Sequence, residues 1–436
     1  MKELFYVINL PQGLHARPAA KLAEIANETK SLVTVEKGDL SANAKSVLQI
    51  LKINVKQHDR VTIKVEGEDE EEVAEKIDKL LMEHPAEKLD GKRVFRIAFF
   101  GSKDYDKLYF SKLSHEKGDH TYNSHIHFFE PRLTEETAEL ANGYDAVCIF
   151  VNDECGRKVI ETLYEYNIHL ILLRCAGFNN VDLKAAKEFG MTVLRVPAYS
   201  PYAVAEHAMA ILQAANRRLH KAYNRVRDND FELSGLVGLD LHNKVAGILG
   251  TGKIGQCFAR ICKGYGMTVL GWDAYPNQSL VDEGLLTYGT LEEVISKADL
   301  ISLHAPLIMG EGGTYHLIDK EKVDMMKHDV MLVNTARGGL IDNEALLYGL
   351  RSKKFHAVAL DVYEGEDQNV YTDRSSDVIS NDITARLQFY PQVILTSHQA
   401  FFTREALQAI AIVTMENALN YITGKDYGDA LVEYKE

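Results

Sequence analysis

Two groups of residues in this 436-residue chain have types and spacings that suit chemistry. In the C-terminal half, Arg337 precedes two glycines in Val333-Asn334-Thr335-Ala336-Arg337-Gly338-Gly339. His398 lies in Ile394-Leu395-Thr396-Ser397-His398-Gln399-Ala400-Phe401, and between them runs the acidic stretch Asp361-Val362-Tyr363-Glu364-Gly365-Glu366. Reduction of a 2-keto acid calls for such a set. A guanidinium can clamp a carboxylate with two hydrogen bonds. An imidazole can hand a proton to the carbonyl oxygen near neutral pH. A carboxylate can orient that imidazole and favour its protonated form. The pattern leaves open which of the three acids does this. All three motifs follow apolar, strand-like runs, the place where open α/β sheets present their ligands.

The second group is N-terminal: Gly13-Leu14-His15-Ala16-Arg17-Pro18-Ala19-Ala20. His15 directly precedes a helical pattern in which Pro18 fits the first turn. Unpaired amides and the partial positive charge of a helix start favour a phosphoryl group there, and Arg17 adds a charge-assisted donor. Position alone is equally compatible with a surface histidine. Ser46 and Gln49 read as a capping box ahead of Val47-Leu48-Gln49-Ile50-Leu51, a site where phosphate is electrostatically tolerated.

The apolar run Lys244-Val245-Ala246-Gly247-Ile248-Leu249 leads into Gly250-Thr251-Gly252-Lys253-Ile254-Gly255 and then a helical pattern. This strand–turn–helix context turns a weak glycine motif into a dinucleotide signature. A second strand ends at Asp273, where a carboxylate would accept from the adenosine ribose and repel a 2′-phosphate. No arginine follows in Ala274-Tyr275-Pro276, so NAD is expected over NADP.

The elements that must position these groups divide the chain. Its length predicts two to three domains. Residues 1–84 read as an α+β unit with β-rich runs near 5–8, 33–35 and 61–65 and helices over 16–28, 47–53 and 70–82; the last opens with acids that suit a helix start. Residues 85–93 are polar, contain Pro85 and Gly91, and read as a linker. From Val94 onward strands and helices alternate, predicting parallel sheets with helices on both faces. The net charge of −14 argues against nucleic acid and anionic membrane surfaces as partners. Five cysteines without CxxC spacing read as reduced thiols. With no signal pattern and no membrane-spanning run, the expectation is a cytoplasmic protein. No metal site is expected.

Residues 1–84 resemble the histidine-containing phosphocarrier HPr of the sugar phosphotransferase system, in the His15 motif, length and element order. The resemblance implies an open-faced sandwich, phosphate carried on His15 with Arg17 assisting, Ser46 as a regulatory serine, and enzyme I or an HPr-kinase-like enzyme as phosphodonor. The sequence after Ser46 departs from the family pattern. Residues 94–436 are similar to the D-2-hydroxyacid dehydrogenases, the fermentative D-lactate dehydrogenases above all. The motifs that carry this include Leu173-Arg174-Cys175-Ala176-Gly177-Phe178-Asn179-Asn180-Val181-Asp182 and Val196-Pro197-Ala198-Tyr199-Ser200-Pro201.

That likeness implies Arg337 as substrate binder, Glu366 as the acid paired with histidine, and His398 as acid/base. It implies substrate contacts from Ala176, Gly177, Tyr199 and Phe401. Gly250, Gly252, Lys253, Ile254, Gly255 and Asp273 would hold the coenzyme, joined by Ala305, Pro306, Thr314, Thr335, Ala336 and Asp361. It further implies a substrate domain of about 94–200 plus 400–436 around a Rossmann-type coenzyme domain of about 201–399, a hinge helix near Tyr202, and a homodimer. Two departures stand out: Leu307 to Thr314 is long and holds three glycines, which would loosen a cofactor-edge loop, and Ala336 replaces a commoner serine. The expected reaction is reversible reduction of pyruvate to D-lactate with NADH. The alternatives are a bulkier 2-keto acid, or an NAD-binding redox sensor coupled to phosphotransferase signalling.

Overall fold

The computed structural model describes residues 1–8, 13–14, 16–38, 40–56, 59–82, 86–89, 95–116, 124–366, 369–379 and 381–434. Residues 1–89 build an antiparallel sheet from β1 (Lys2–Ile8), β2 (Leu32–Lys37), β3 (Leu40–Asn43), β4 (Arg60–Glu66) and β5 (Ala86–Leu89), ordered β3-β2-β4-β1-β5. Leu4, Tyr6 and Ile8, then Val33 and Val35, then Val61, Ile63 and Val65 are buried at every second position. A period of two means one covered face. The cover is α1 (Ala16–Asn27), α2 (Val47–Lys52) and α3 (Glu70–Met82), whose Leu22, Ile50 and Ile77 share that core. The result is the expected open-faced sandwich.

Two local readings are corrected. The stretch read as a linker contains β5, which pairs antiparallel with β1 from Phe5↔Leu89 to Ile8↔Ala86. Its Ala-Glu-Lys-Leu sequence has no strand periodicity; it is recruited by the free backbone groups on the edge of β1. The capping box is one-sided. Ser46 Oγ accepts from the Gln49 amide at 3.4 Å, but the Gln49 side chain accepts from the Asn43 amide and Ser46 N–H donates to the Asn43 carbonyl. The β3–α2 turn has already satisfied the donor that a full box would use.

A second sheet holds β6 (Phe95–Phe99), β7 (Ser124–Phe128), β8 (Ala146–Ile149), β9 (Leu170–Leu173) and β10 (Thr192–Arg195), all parallel and ordered β10-β9-β8-β6-β7. α4 (Asp104–Glu116), α5 (Arg157–Glu165) and α6 (Leu183–Glu188) connect its strands. The C-terminal segment returns to this sheet, where Val432 N donates to Val193 O.

The third sheet is parallel and seven-stranded: β11 (Val245–Leu249), β12 (Thr268–Trp272), β13 (Thr287–Tyr288), β14 (Leu300–Leu303), β15 (Val330–Asn334), β16 (Phe355–Leu360) and β17 (Val393–Leu395), ordered β13-β12-β11-β14-β15-β16-β17. β14 and β15 are buried along their length and β11 and β16 nearly so, because helices cover both faces, while β12, β13 and β17 toward the sheet's edges are only partly covered. These helices include α7 (Pro201–Asn216), α9 (Lys253–Gly264), α11 (Leu291–Lys297), α12 (Lys320–Met325) and α13 (Asn343–Arg351), while α8 (Leu219–Arg227), α10 (Gln278–Asp282) and α14 (Asp382–Phe389) complete the order before α15 (Arg404–Thr423). Strand order reverses between β11 and β14, the topological switch point of a doubly wound sheet.

By compactness the chain divides into 1–197 with 408–436, and 198–407. Relative to the expected limits of 200 and 400, the later crossing moves into α15, because a continuous helix carries the chain past that point.

Candidate active site

Because the third sheet is parallel, every strand delivers its following residue to one edge. Within the unit 198–407, that edge collects Gly250 after β11, Asp273 after β12, Ala305 and Pro306 after β14, Thr335 to Arg337 after β15, Asp361 to Glu366 after β16, and His398 after β17. Residues spread over about 150 positions thus meet because apolar strands pack side by side.

The glycine turn is built for close approach. Gly250 has φ +97°, and a Cβ there would lie 2.6 Å from the Ala305 amide nitrogen. A Cβ on Gly255 would lie 2.0 Å from the Gly250 carbonyl oxygen. Gly252 differs: it is the N-cap of α9, makes no side-chain cap, and nothing lies within 4 Å of its absent Cβ. Lys253 and Ile254 open the helix, so free first-turn amides face an open cradle suited to a pyrophosphate. Asp273 Oδ2 accepts from the Thr251 amide at 2.6 Å and its hydroxyl at 3.1 Å, fixing the carboxylate at the end of β12. The Thr335 hydroxyl is buried without a hydrogen-bond partner among the described residues. An open phosphate cradle, an anchored acid and an orphan hydroxyl along one sheet edge fit a dinucleotide.

The loop from Leu307 to Thr314 is closed rather than loosened by its glycines. Thr314 Oγ1 donates to Pro306 O at 2.5 Å and accepts from Ile308 N at 2.8 Å, so this hydroxyl staples the loop's neck.

Asn334, fully buried, shapes the turn that presents Arg337. Its Oδ1 accepts from Ala336 N at 3.0 Å and its amide donates to Arg337 O at 2.9 Å. Arg337 is half-buried and its Nη1 donates to Ala336 O; no carboxylate pairs with it among the described residues. Such a guanidinium retains donors for an anion.

The acid left open by the sequence pattern is Glu366. Its Oε1 lies 2.9 Å from His398 Nδ1, and its Oε2 accepts from Tyr363 N at 3.2 Å. An ionised carboxylate can only accept, so Nδ1 carries the hydrogen and Nε2 is the atom available for exchange. Glu364 is engaged elsewhere, with Tyr315 at 2.8 Å and His316 at 3.0 Å.

Asp361 is fully buried. Its oxygens accept from His207, Thr396 and the amides of Gln399 and Ala400. Burial alone would raise its pKa, yet these donors, His207 first, hold it below the ordinary carboxylate range. His207 and Thr396 escaped the sequence reading. A histidine in the apolar helix pattern 203–212 was the one signal, and nothing linked it to an acid 154 positions away. Tyr371 was also missed; its hydroxyl donates to His398 O at 2.8 Å. Tyr199 and Phe401 are ring neighbours with centroids 6.5 Å apart, and Tyr371 lies 6.4 Å from Phe401.

Ala176 and Gly177 belong to the other unit, in the turn after β9, where both are half-buried. Arg195 Nη1 donates to Ala176 O at 3.2 Å, and Cys175 Sγ reaches Gly177 O at the same distance. In the N-terminal sandwich, Arg17 is exposed in the first turn of α1 and Ser46 caps α2. His15 lies outside the described residues.

The doubly wound sheet, its glycine turn and the His398–Glu366 pair define an NAD-dependent oxidoreductase. Residues 209–400 match the family described as D-isomer specific 2-hydroxyacid dehydrogenase, NAD binding domain, and residues 3–83 match the PTS HPr component phosphorylation site. D-lactate dehydrogenase of Escherichia coli is 44% identical over 337 residues, 77% of this chain and 100% of that protein. The pyruvate reductase of Chlamydomonas reinhardtii has a similar structure, with a TM-score of 0.71 and 41% identity over 77% of this chain and 98% of that one. D-lactate dehydrogenase with NAD+ from Lactobacillus jensenii is similar at a TM-score of 0.64 and 28% identity, over 78% of this chain and all of that chain. The chain belongs to the D-2-hydroxyacid dehydrogenase family, preceded by an HPr module, and NAD is its cofactor. No helix among the described residues is long and apolar enough to cross a membrane.

Proposed function

We propose that the chain reduces pyruvate to D-lactate, reversibly, with Arg337, Glu366 and His398 as its working residues. The observation that carries this reading is the 2.9 Å contact between His398 Nδ1 and Glu366 Oε1, on the same sheet edge as an arginine that has no acid partner among the described residues. Glu366 accepts the Nδ1 hydrogen and stabilises the imidazolium. His398 delivers the Nε2 proton to the carbonyl oxygen as that oxygen gains charge. Arg337 holds the substrate carboxylate with a bidentate grip, and Tyr199 and Phe401 of the same unit contact the substrate beside it. Bound NADH supplies the hydride. In the reverse direction neutral His398 takes the hydroxyl proton.

The names of the relatives above support pyruvate as substrate. The test is NADH consumption with pyruvate against longer and branched 2-keto acids, in wild type and Arg337→Ala. A higher rate on a bulkier acid would replace pyruvate; an Arg337→Ala variant that saturates with pyruvate as wild type does would remove Arg337 from the site.

The N-terminal module accepts phosphate on His15, assisted by Arg17, from an enzyme I-like donor, and on Ser46 from an HPr-kinase-like enzyme. The match of residues 3–83 and the exposed Arg17 support this. Incubation with enzyme I and phosphoenolpyruvate, followed by mass measurement of wild type and His15→Ala, tests it; equal labelling would exclude His15. The chain acts in the cytoplasm as a homodimer. Leu219, Tyr223 and Val226 of α8, with Phe231, Leu233 and Val237 after it, are all exposed, a patch that suits a second copy. Light scattering that reports a monomer at micromolar concentration would refute the dimer.

A further inference from the structure

His398 adopts a backbone conformation that residues with a Cβ rarely take. Its φ is +52°, in the left-handed region, although it is not glycine. Such a conformation persists where surrounding contacts over-determine it, and those contacts converge on Asp361. The His398 amide donates to the Asp361 carbonyl at 3.0 Å. The next two amides, Gln399 and Ala400, donate to its carboxylate at 2.9 and 2.8 Å, one to each oxygen. Thr396, two residues before, donates its hydroxyl to Oδ1 at 2.5 Å. The whole turn therefore wraps one carboxylate, and the orientation of that carboxylate fixes the orientation of the imidazole.

A buried carboxylate of this kind needs its own anchor. Three of its donors come from the turn it must hold, so they cannot define its position independently. The remaining side-chain donor is His207 on α7. Its Nε2 lies 3.2 Å from Asp361 Oδ1 and 3.3 Å from Thr396 Oγ1. α7 is a four-turn helix whose Ala205, Ala208, Met209, Leu212 and Ala215 are buried in the core of the same unit. His207 thus ties the turn to a rigid element outside it.

We propose that His207 is a positioning residue for His398: by donating from Nε2 to Asp361 Oδ1 it anchors the carboxylate around which the left-handed turn of the acid/base histidine is wound. The inference rests on the reading of His398 as acid/base, and it assigns to α7 a part in proton transfer that no motif in the sequence announces. His207 itself touches neither substrate nor coenzyme in this scheme.

The test compares His207→Leu, which removes the donor, with His207→Gln, whose amide nitrogen reaches to the place of Nε2, in the full-length protein. Pyruvate reduction and NADH binding by fluorescence are measured for each, with a thermal melt. His207→Leu is expected to lower kcat about tenfold, within the range for a hydrogen bond to a charged group, with NADH affinity within about twofold of wild type. His207→Gln is expected to recover most of that loss. In a His398→Gln background, His207→Leu should cost nothing further, because the two act on one step. The proposal is overturned by a Leu variant within about twofold of wild type in kcat, by equal defects in Leu and Gln, or by an added loss in the His398→Gln background. If His398→Gln itself retains wild-type kcat, it is the acid/base reading that fails.

Discussion

Replacing Glu366 with glutamine is the most direct test of the proton-transfer geometry. The change preserves shape and leaves one oxygen, which can accept from His398 Nδ1; the new amide –NH2 cannot accept from Tyr363 N, so the change removes the charge and the longer, 3.2 Å bond from that backbone amide. The contact is 2.9 Å long, and the side chains retain 11% and 23% of their exposure, so solvent screens it weakly. Unit charges about 4 Å apart attract by about 4 kcal/mol at an effective dielectric near 20. Charge-assisted hydrogen bonds contribute about 1.5–3 kcal/mol net of desolvation. About 2 kcal/mol of imidazolium stabilisation is therefore at stake, which corresponds to about 30-fold in rate. The assay is steady-state NADH oxidation at saturating pyruvate, with NADH affinity from fluorescence and a melt to establish folding. The expected outcome is a kcat lowered about 30-fold with coenzyme binding unchanged. A folded Glu366→Gln variant that keeps more than a third of wild-type kcat would refute the pairing as the source of catalysis.

Other perturbations separate neighbouring roles. Arg337→Ala should raise the pyruvate KM and lower kcat/KM by about 2–4 kcal/mol equivalent, with NADH affinity unchanged; weakened NADH binding would instead place Arg337 against the coenzyme. Gly255→Ala must push a Cβ onto the Gly250 carbonyl and should cost about 1–3 kcal/mol of stability by urea melt, whereas Gly252→Ala has space, should melt as wild type, and should lose NADH affinity; equal melts for both would disprove the packing argument. His304 is half-buried with its Nε2 2.8 Å from Ser302 Oγ, and burial lowers its pKa to about 3. Below about pH 6.5 the unfolded chain takes up a proton that the folded chain refuses, so stability must fall with acidity, by about 2 kcal/mol at pH 5. His304→Gln should lack that component, and identical acid sensitivity in urea melts at pH 7.5 and 5 would count against it.

How far the sequence can be read depends on the range of the interaction concerned. The glycine turn, Asp273 and the apolar strands were legible because strand, turn and helix are consecutive, and local sterics select their residues. Arg337 and His398 were legible for a related reason: each follows an apolar run, and parallel strands carry such residues to one edge. The acid partner was not. Asp361, Glu364 and Glu366 stand in one short motif, and the folded turn sends one to Thr396 and His207, one to Tyr315 and His316, and one to His398. β5 was hidden because edge pairing uses backbone groups that every residue carries. The half-formed cap at Ser46 was hidden because a neighbouring turn had already engaged its amide.

Residue order thus settled the modules, the coenzyme and the functional groups required, since each rests on contacts between near neighbours or on the chemistry of single side chains. Folding alone settled the partnerships. Which carboxylate faces His398 depends on β16 pairing with β17, and which helix steadies it depends on α7, from the start of the unit, packing against them; no local pattern encodes a contact made across 154 residues.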